Sequence, residues 1–226
     1  MIRSIKFICY LQILLVLAAC AQLPEYAQPR VVDFDHEPVS LEGAFKYRKL
    51  KVDDFQASSL PEDLASHSRH IAAHACCRLR PTKDARYKIT RGYLNQKIHY
   101  FGSIEYVKFE AVMVPDCSWL NPGVGKQQLD YVLQHEQIHF ALMELAARKL
   151  NRESKDEVKN FLAIQSTHRA ARDEIAAKIK DMVSKANAEV LAEHTAFDEE
   201  TSLYFNPEIQ QRWYDRIAQQ LRSTAP

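Results

Sequence analysis

The pattern of apolar and polar positions divides the chain into a strand-like part and a helical part. From about residue 45 to 115, short stretches alternate between apolar and polar residues, as half-buried strands do. The clearest stretch is 104–114, where Val107, Phe109, Ala111 and Met113 fall on one face. Turn-forming residues follow it at 116–123. These features predict a sheet in the N-terminal half.

After Gly125 the apolar residues recur at helical spacing. Residues 127–150 contain no Gly or Pro, and Ser154 with Glu157 three positions later predicts a second helix start. Helical spacing continues to about residue 201, as one long helix or as two with a break near Gln165. Asn206 and Pro207 predict the start of a last helix. The fold class is α+β: a mostly antiparallel N-terminal sheet, a helix with a metal-binding motif, and a long C-terminal helical part.

The first twenty residues have the layout of an export signal. Arg3 and Lys6 precede an apolar run over 7–19, which is too short for a comfortable membrane span. The order Leu17-Ala18-Ala19-Cys20 resembles the bacterial lipobox, whose cysteine is lipidated after cleavage; the alternative is an ordinary signal peptide. We expect a signal peptide at 1–19, a tether at 20–41 and a single domain at 42–226. No Asp stands at the second mature position, which by analogy favours an outer-membrane anchor facing the periplasm.

The charge balance does not indicate a nucleic-acid partner. Removing Arg3 and Lys6 from the 30 basic residues leaves 28 against 29 acidic ones. Nucleic-acid binding needs a clustered basic excess. The expected partners are a peptide or protein substrate and, through Cys20, a membrane.

Three cysteines remain in the expected domain: Cys76, Cys77 and Cys117. In an oxidising periplasm Cys117 could pair with Cys76 or with Cys77. Adjacent residues on a strand point to opposite faces, so only one of the two should face Cys117. Three reduced, buried thiols are the alternative.

The strongest chemical signal is His135-Glu136-Gln137-Ile138-His139, an H-E-x-x-H motif inside the predicted helix. Residues four apart on a helix lie about 40° apart around the axis, so both imidazoles can reach one zinc ion. Glu136 is then placed to accept a proton from the water that the metal activates. An amphipathic helix with two surface histidines and a solvated glutamate is the structural alternative.

A zincin needs a third protein ligand, and the usual downstream histidine is absent. Glu144 lies half a turn around the helix from His135. The most suggestive cluster is residues 194–201, which contains His194, Asp198, Glu199 and Glu200. A solvated acidic helix end is the alternative interpretation.

These motifs together resemble a family of bacterial exported proteins described as predicted secreted zinc-dependent proteases. The resemblance spans about residues 45–222 and includes the Ser118-Trp119 pair, the helix sequence 135–140, and Phe197-Asp198 with Thr201 near the C-terminal end. It implies a zincin fold and raises Asp198 above its neighbours as the third metal ligand. The chain departs from the family where Leu203 and Tyr204 replace a His-Gly pair.

Two functions follow as expectations. The first is an exported, lipid-anchored zinc-dependent peptide hydrolase, with strand 104–114 as an edge that pairs with an extended substrate and Tyr204 or Tyr214 as a candidate oxyanion donor. The second, favoured by Leu203, is a catalytically inactive zincin-fold lipoprotein that serves as a binding or envelope-assembly module.

Overall fold

The computed structural model describes residues 23–24, 27–29, 42–202 and 205–224. The predicted signal peptide, Cys20, most of the tether, Leu203 and Tyr204 lie outside the described residues. Within the described ranges, no helix is both long enough and apolar enough to cross a membrane.

The described part of the chain contains eight strands in three small antiparallel sheets: seven come from the N-terminal part, and the eighth lies between the two long helices. The strands are β1 (Phe45–Lys46), β2 (Ala73–His74), β3 (Cys77–Pro81), β4 (Arg86–Leu94), β5 (Lys97–Tyr106), β6 (Phe109–Met113), β7 (Trp119–Leu120) and β8 (Ala163–Gln165). The first sheet has the order β1-β6-β3, the second pairs β2 with β7, and the third has the order β4-β5-β8.

Three α-helices complete the described part of the fold: α1 (Lys126–Asn160), α2 (His168–Thr201) and α3 (Pro207–Ser223). Local sequence sets their starts. The Thr167 side chain accepts from the amide of Ala170 at 3.1 Å, and Asn206 caps α3 by accepting from the amide of Ile209 at 3.2 Å. The α+β prediction is confirmed, as are the helix start at Asn206-Pro207 and a break near Gln165.

The core lies where α1 packs between the first sheet and the other two helices. All five residues of β6 are buried, and they meet an apolar face of α1 that includes Ile138, Phe140 and Leu142. Phe197 from α2 and Trp213 from α3 close the other side, with ring centroids 5.3 Å apart. The helix with the H-E-x-x-H motif is therefore held on both sides.

Two details of the predicted elements are wrong. Stretch 104–114 is not one edge strand: its first part belongs to β5 and its last part to β6, and both are the central strands of their sheets. Ser154 does not begin a helix, because it is buried inside the continuous helix α1. The apolar packing of α1 overrides the local capping signal there.

Cys76 and Cys117 form a disulfide with an S–S distance of 2.01 Å, and Cys77 is a free thiol. The bridge joins the residue just before β3 to the turn before β7. Cys76 donates its amide to Ser118 Oγ at 2.9 Å. The bonded pair is thus one of the two pairings that the sequence left open.

Candidate metal centre

Two imidazoles project from adjacent turns of α1 towards α2. His135 Nε2 and His139 Nε2 lie 3.1 Å apart, as the four-residue spacing requires. The buried ring of Phe197 packs against both, with centroids 4.5 Å from His135 and 5.1 Å from His139. This aromatic contact fixes the ring positions from the apolar side.

The carboxylate of Asp198, from α2, lies beside the two imidazoles. Its Oδ1 lies 3.1 Å from His135 Nε2 and 3.0 Å from His139 Nε2. Asp198 is only 7% exposed, and Ser202 Oγ donates to the same oxygen at 3.2 Å. Among the described residues, these three side chains form the group whose ligand atoms could hold a metal ion.

The neighbouring acidic residues do not enter the site. Glu200 accepts a hydrogen bond from Trp213 Nε1 at 2.8 Å, and Glu199 is exposed on α2. Glu144 pairs with Arg148 at 2.7 Å. The structure therefore selects Asp198 from the cluster at 194–201.

Gln210, from α3, orients the His135 ring. Its amide nitrogen donates to the Tyr131 carbonyl and to Gln134 Oε1, both at 2.9 Å. Its Oε1 consequently faces His135 Nδ1, at 3.2 Å. An amide oxygen only accepts, so this contact favours a proton on His135 Nδ1 and leaves Nε2 as the ligand atom when a metal ion is bound.

His194, one turn before Asp198 on α2, contacts the outer nitrogen of His139. The two Nδ1 atoms lie 2.6 Å apart, and the rings are nearly parallel, at 8°. Burial, with a smaller contribution from the charge of His139, lowers the pKa of His194 to about 3. A neutral His194 can accept a hydrogen bond from His139 Nδ1–H, which leaves His139 Nε2 free to act as a ligand.

The donor atoms at the centre suit a cation. An ion bonded at about 2.0–2.2 Å to tetrahedral ligands places those ligands roughly 3.4 Å apart. The three separations here, 3.0–3.1 Å, are within a few tenths of that value. Two imidazole nitrogens with one carboxylate oxygen form a donor set that zinc accepts.

The pKa shifts of Asp198 and His139 also show that the centre favours positive charge. Burial opposes ionisation of Asp198, but the charges of His139 and His135 and their hydrogen bonds hold the Asp198 pKa well below its usual range. Burial also disfavours a charged His139, yet the Asp198 carboxylate outweighs it and raises the His139 pKa. The cluster therefore stabilises a bound proton, which a metal ion would replace.

Glu136 lies on a different side of α1 from the two histidines. It is buried, and its Oε2 accepts from the amide of Ala75 at 2.9 Å. Ala75 lies between β2 and β3, beside the disulfide. Burial raises the pKa of the nearby Cys77 thiol, and the negative charge of Glu136 adds to that effect.

The structure also places the other residues that the sequence singled out. Tyr214 is 40% exposed and lies near Tyr47, whose pKa is raised by burial and, more weakly, by Tyr214. No contact joins Tyr214 to the three ligand atoms in the described structure.

Sequence reasoning missed Gln210, because a glutamine on an amphipathic helix carries no signal of its own. It also missed the amide of Ala75, because a backbone group leaves no mark in the sequence.

The chain was compared with protein-family models, curated proteins and solved structures, and none of them matches. The function proposed below therefore rests on the residues of the site.

Proposed function

We propose that this protein is an exported, lipid-anchored, zinc-dependent peptide hydrolase of the bacterial envelope. The observation that carries the proposal is the convergence of His135, His139 and Asp198 within 4.8 Å. Glu136 directly follows His135 in the sequence. The convergence joins a local helix motif to a carboxylate that lies 59 residues beyond His139.

Each residue has a defined part in this proposal. His135, His139 and Asp198 would hold the zinc ion, with Gln210 and His194 fixing the two rings. Zinc in such a site supplies Lewis-acid chemistry, which polarises a carbonyl and makes water more acidic. Glu136 acts as the general base: it accepts a proton from the attacking water and passes that proton to the leaving amine. The Ala75 amide, bound to one Glu136 oxygen, holds the carboxylate in a fixed orientation and leaves the other oxygen available for the proton.

An extended substrate would use a different strand from the one that the sequence predicted. Strands β5 and β6 are central, whereas β3 is an outer strand of its sheet. The Ala75 amide just before β3 already contacts Glu136. The β3 side of the first sheet is thus the edge nearest to the proposed base.

The location of the protein rests on residues 1–20. The lipobox-like order ending at Cys20 would anchor the chain, and the tether at 20–41 would connect the anchor to the domain. The disulfide between Cys76 and Cys117 supports an oxidising compartment, because cytosolic proteins rarely retain one.

Glu136→Gln tests the proposal, because it keeps the shape of the side chain and removes the base. We expect full zinc content with cleavage of an unfolded casein substrate reduced about 10²–10⁴-fold. Glu153→Gln on the exposed face of the same helix is the matched control and should cleave normally. Equal cleavage by the Glu136 and Glu153 variants would exclude the proposed base. Zinc in the wild-type protein without any chelator-sensitive cleavage would instead favour the inactive binding module.

A further inference from the structure

The third sheet carries a surface that the candidate metal centre does not use. Strands β4 and β5 form a long hairpin with nine paired positions, and β8 adds to β5 over three of them. The hairpin turn is formed by Asn95 and Gln96, both with positive φ, at 49° and 63°. This geometry is that of a tight two-residue hairpin turn.

One face of the sheet packs on α2 and the other is open. Gly102 in β5 allows the close approach, because a Cβ there would lie 3.0 Å from Ile175 Cδ1. Ile175 lies about 35 Å from Asp198 along α2, at 1.5 Å per residue. Tyr100, nearer the turn, contacts His168 at the start of α2, with ring centroids 6.0 Å apart. The hairpin therefore extends away from Asp198, and its tip lies far from the candidate metal centre.

Exposed apolar side chains are concentrated on this sheet. Six of the nine large hydrophobic residues that are exposed in the described structure belong to it or adjoin it: Tyr87, Tyr93, Leu94, Ile98, Leu162 and Ile164. Tyr93 at the tip is the most exposed of all nine, at 75%. Such a concentration on one protruding element marks an interaction surface.

The charges towards the hairpin tip have a single sign, and Glu105, the one acidic residue of β4 and β5, lies near the far end of β5. Between Ala85 and Ile104 the sequence contains no Asp or Glu, but it contains Arg86, Lys88, Arg91 and Lys97. All four are exposed. Strand β8 is also free of acidic residues. The rest of the chain has 26 basic and 29 acidic residues, so the basic excess is local.

We propose that the tip of the β4–β5 hairpin contacts an anionic phospholipid bilayer. Tyrosine and aliphatic side chains enter the interfacial region of a bilayer, and lysine and arginine bind its phosphates. Each basic residue near an anionic surface strengthens binding about fivefold. The positive charge of the tip opposes pairing with the tip of a second copy. An anionic bilayer is therefore the complementary partner.

The contact has a consequence for the metal centre. A lipid on Cys20 and the hairpin tip would attach the domain at two points, which would fix its orientation. The centre would then lie at least about 35 Å from the hairpin contact, towards substrates in solution. The hairpin proposal itself does not need the metal centre to be catalytic.

A fluorescent reporter tests the contact in the full-length protein. Tyr93→Trp places a tryptophan at the tip. Trp119 and Trp213 are buried, so the added tryptophan is the one that lipid can reach. After reconstitution in vesicles of phosphatidylglycerol and phosphatidylethanolamine, brominated lipid should quench the added tryptophan and shift its emission to the blue. Tyr214→Trp, on α3 and 40% exposed, is the matched control and should not be quenched.

Charge reversal then tests the partner. Arg91→Glu with Lys97→Glu, added to Tyr93→Trp, should abolish the quenching, whereas Arg212→Glu with Arg222→Glu on α3 should leave it intact. Vesicles of phosphatidylcholine alone should quench weakly. Equal quenching in both charge variants, or none in the Tyr93 reporter, would overturn the proposal. A blue shift without lipid that grows with protein concentration would also overturn it, in favour of a second copy as the partner.

Discussion

His194 Nδ1 lies 2.6 Å from His139 Nδ1, so one imidazole donates a hydrogen bond to the other. The proton position decides whether His139 can bind a metal through Nε2. Because burial keeps His194 neutral, with its pKa lowered to about 3, His194 can accept a hydrogen bond from His139 Nδ1–H. Gln210 does the same for His135 from a different helix. Both imidazole ligands are thus oriented by a partner outside the metal centre.

Removing these partners should weaken metal binding without removing a ligand. We expect His194→Leu and Gln210→Leu each to lower zinc affinity about 10–100-fold, as loss of an outer hydrogen bond usually does. His194→Asn keeps an acceptor near Nδ1 and should recover part of that loss. Competition with a zinc-binding dye measures the affinity. Gln219→Leu, on the exposed side of α3, is the control, and an equal loss there would show that the effect is not specific.

The Cys76–Cys117 disulfide should contribute to stability as well as to the site. It closes a loop of 41 residues, and loss of a native bridge of this kind costs about 2–5 kcal/mol. We expect Cys76→Ala with Cys117→Ala to lower the free energy of unfolding by that amount, and Cys77→Ser to lower it less. Chemical denaturation measures both.

Thiol labelling of denatured, periplasm-derived protein gives the direct test of the bridge. It should find one free thiol among Cys76, Cys77 and Cys117, namely Cys77. Three labelled thiols would contradict the pairing.

The ion pair between Arg48 and Asp54 predicts a pH-dependent stability. Burial alone would raise the Asp54 pKa, but the Arg48 guanidinium and the Lys51 amide together lower it below 3.8. A lowered folded pKa stabilises the protein above the unfolded value and loses that contribution as pH falls through the folded value. Asp54→Asn should therefore cost about 1–3 kcal/mol at pH 7 and progressively less below pH 3.8.

Urea denaturation of the wild-type protein and the variant at pH 7 and at low pH measures this difference. Asp53→Asn, on the exposed neighbour, is the control and should behave like the wild type at both pH values. A cost for Asp54→Asn that stays constant with pH would show that the charge of Asp54 is not responsible.

Local sequence predicted the features that depend on local physics. The helix around His135 and His139, the cap at Asn206 and the alternation over 109–113 follow from spacing and side-chain type. The sequence did not predict β8, because three residues between two long helices become a strand only through pairing with β5. Likewise, no local pattern places Gln210 beside His135.

Asp198 was predicted only in part from the sequence. Helical spacing placed it near the end of α2, and the resemblance to exported proteases selected it from several acidic neighbours. Only the packing of α2 against α1 brings its carboxylate to the two imidazoles. Tertiary contacts between distant segments are therefore what the sequence left undetermined.

The metal content of purified protein tests the central claim most directly. The account predicts one zinc ion per wild-type chain, and loss of that ion in His135→Ala, His139→Ala and Asp198→Ala. It predicts full occupancy in Glu199→Ala, whose side chain is next to Asp198 but outside the centre. Elemental analysis after dialysis against trace zinc supplies the numbers. A wild-type chain without zinc, or an Asp198→Ala chain that keeps as much zinc as Glu199→Ala, would contradict the metal centre described above.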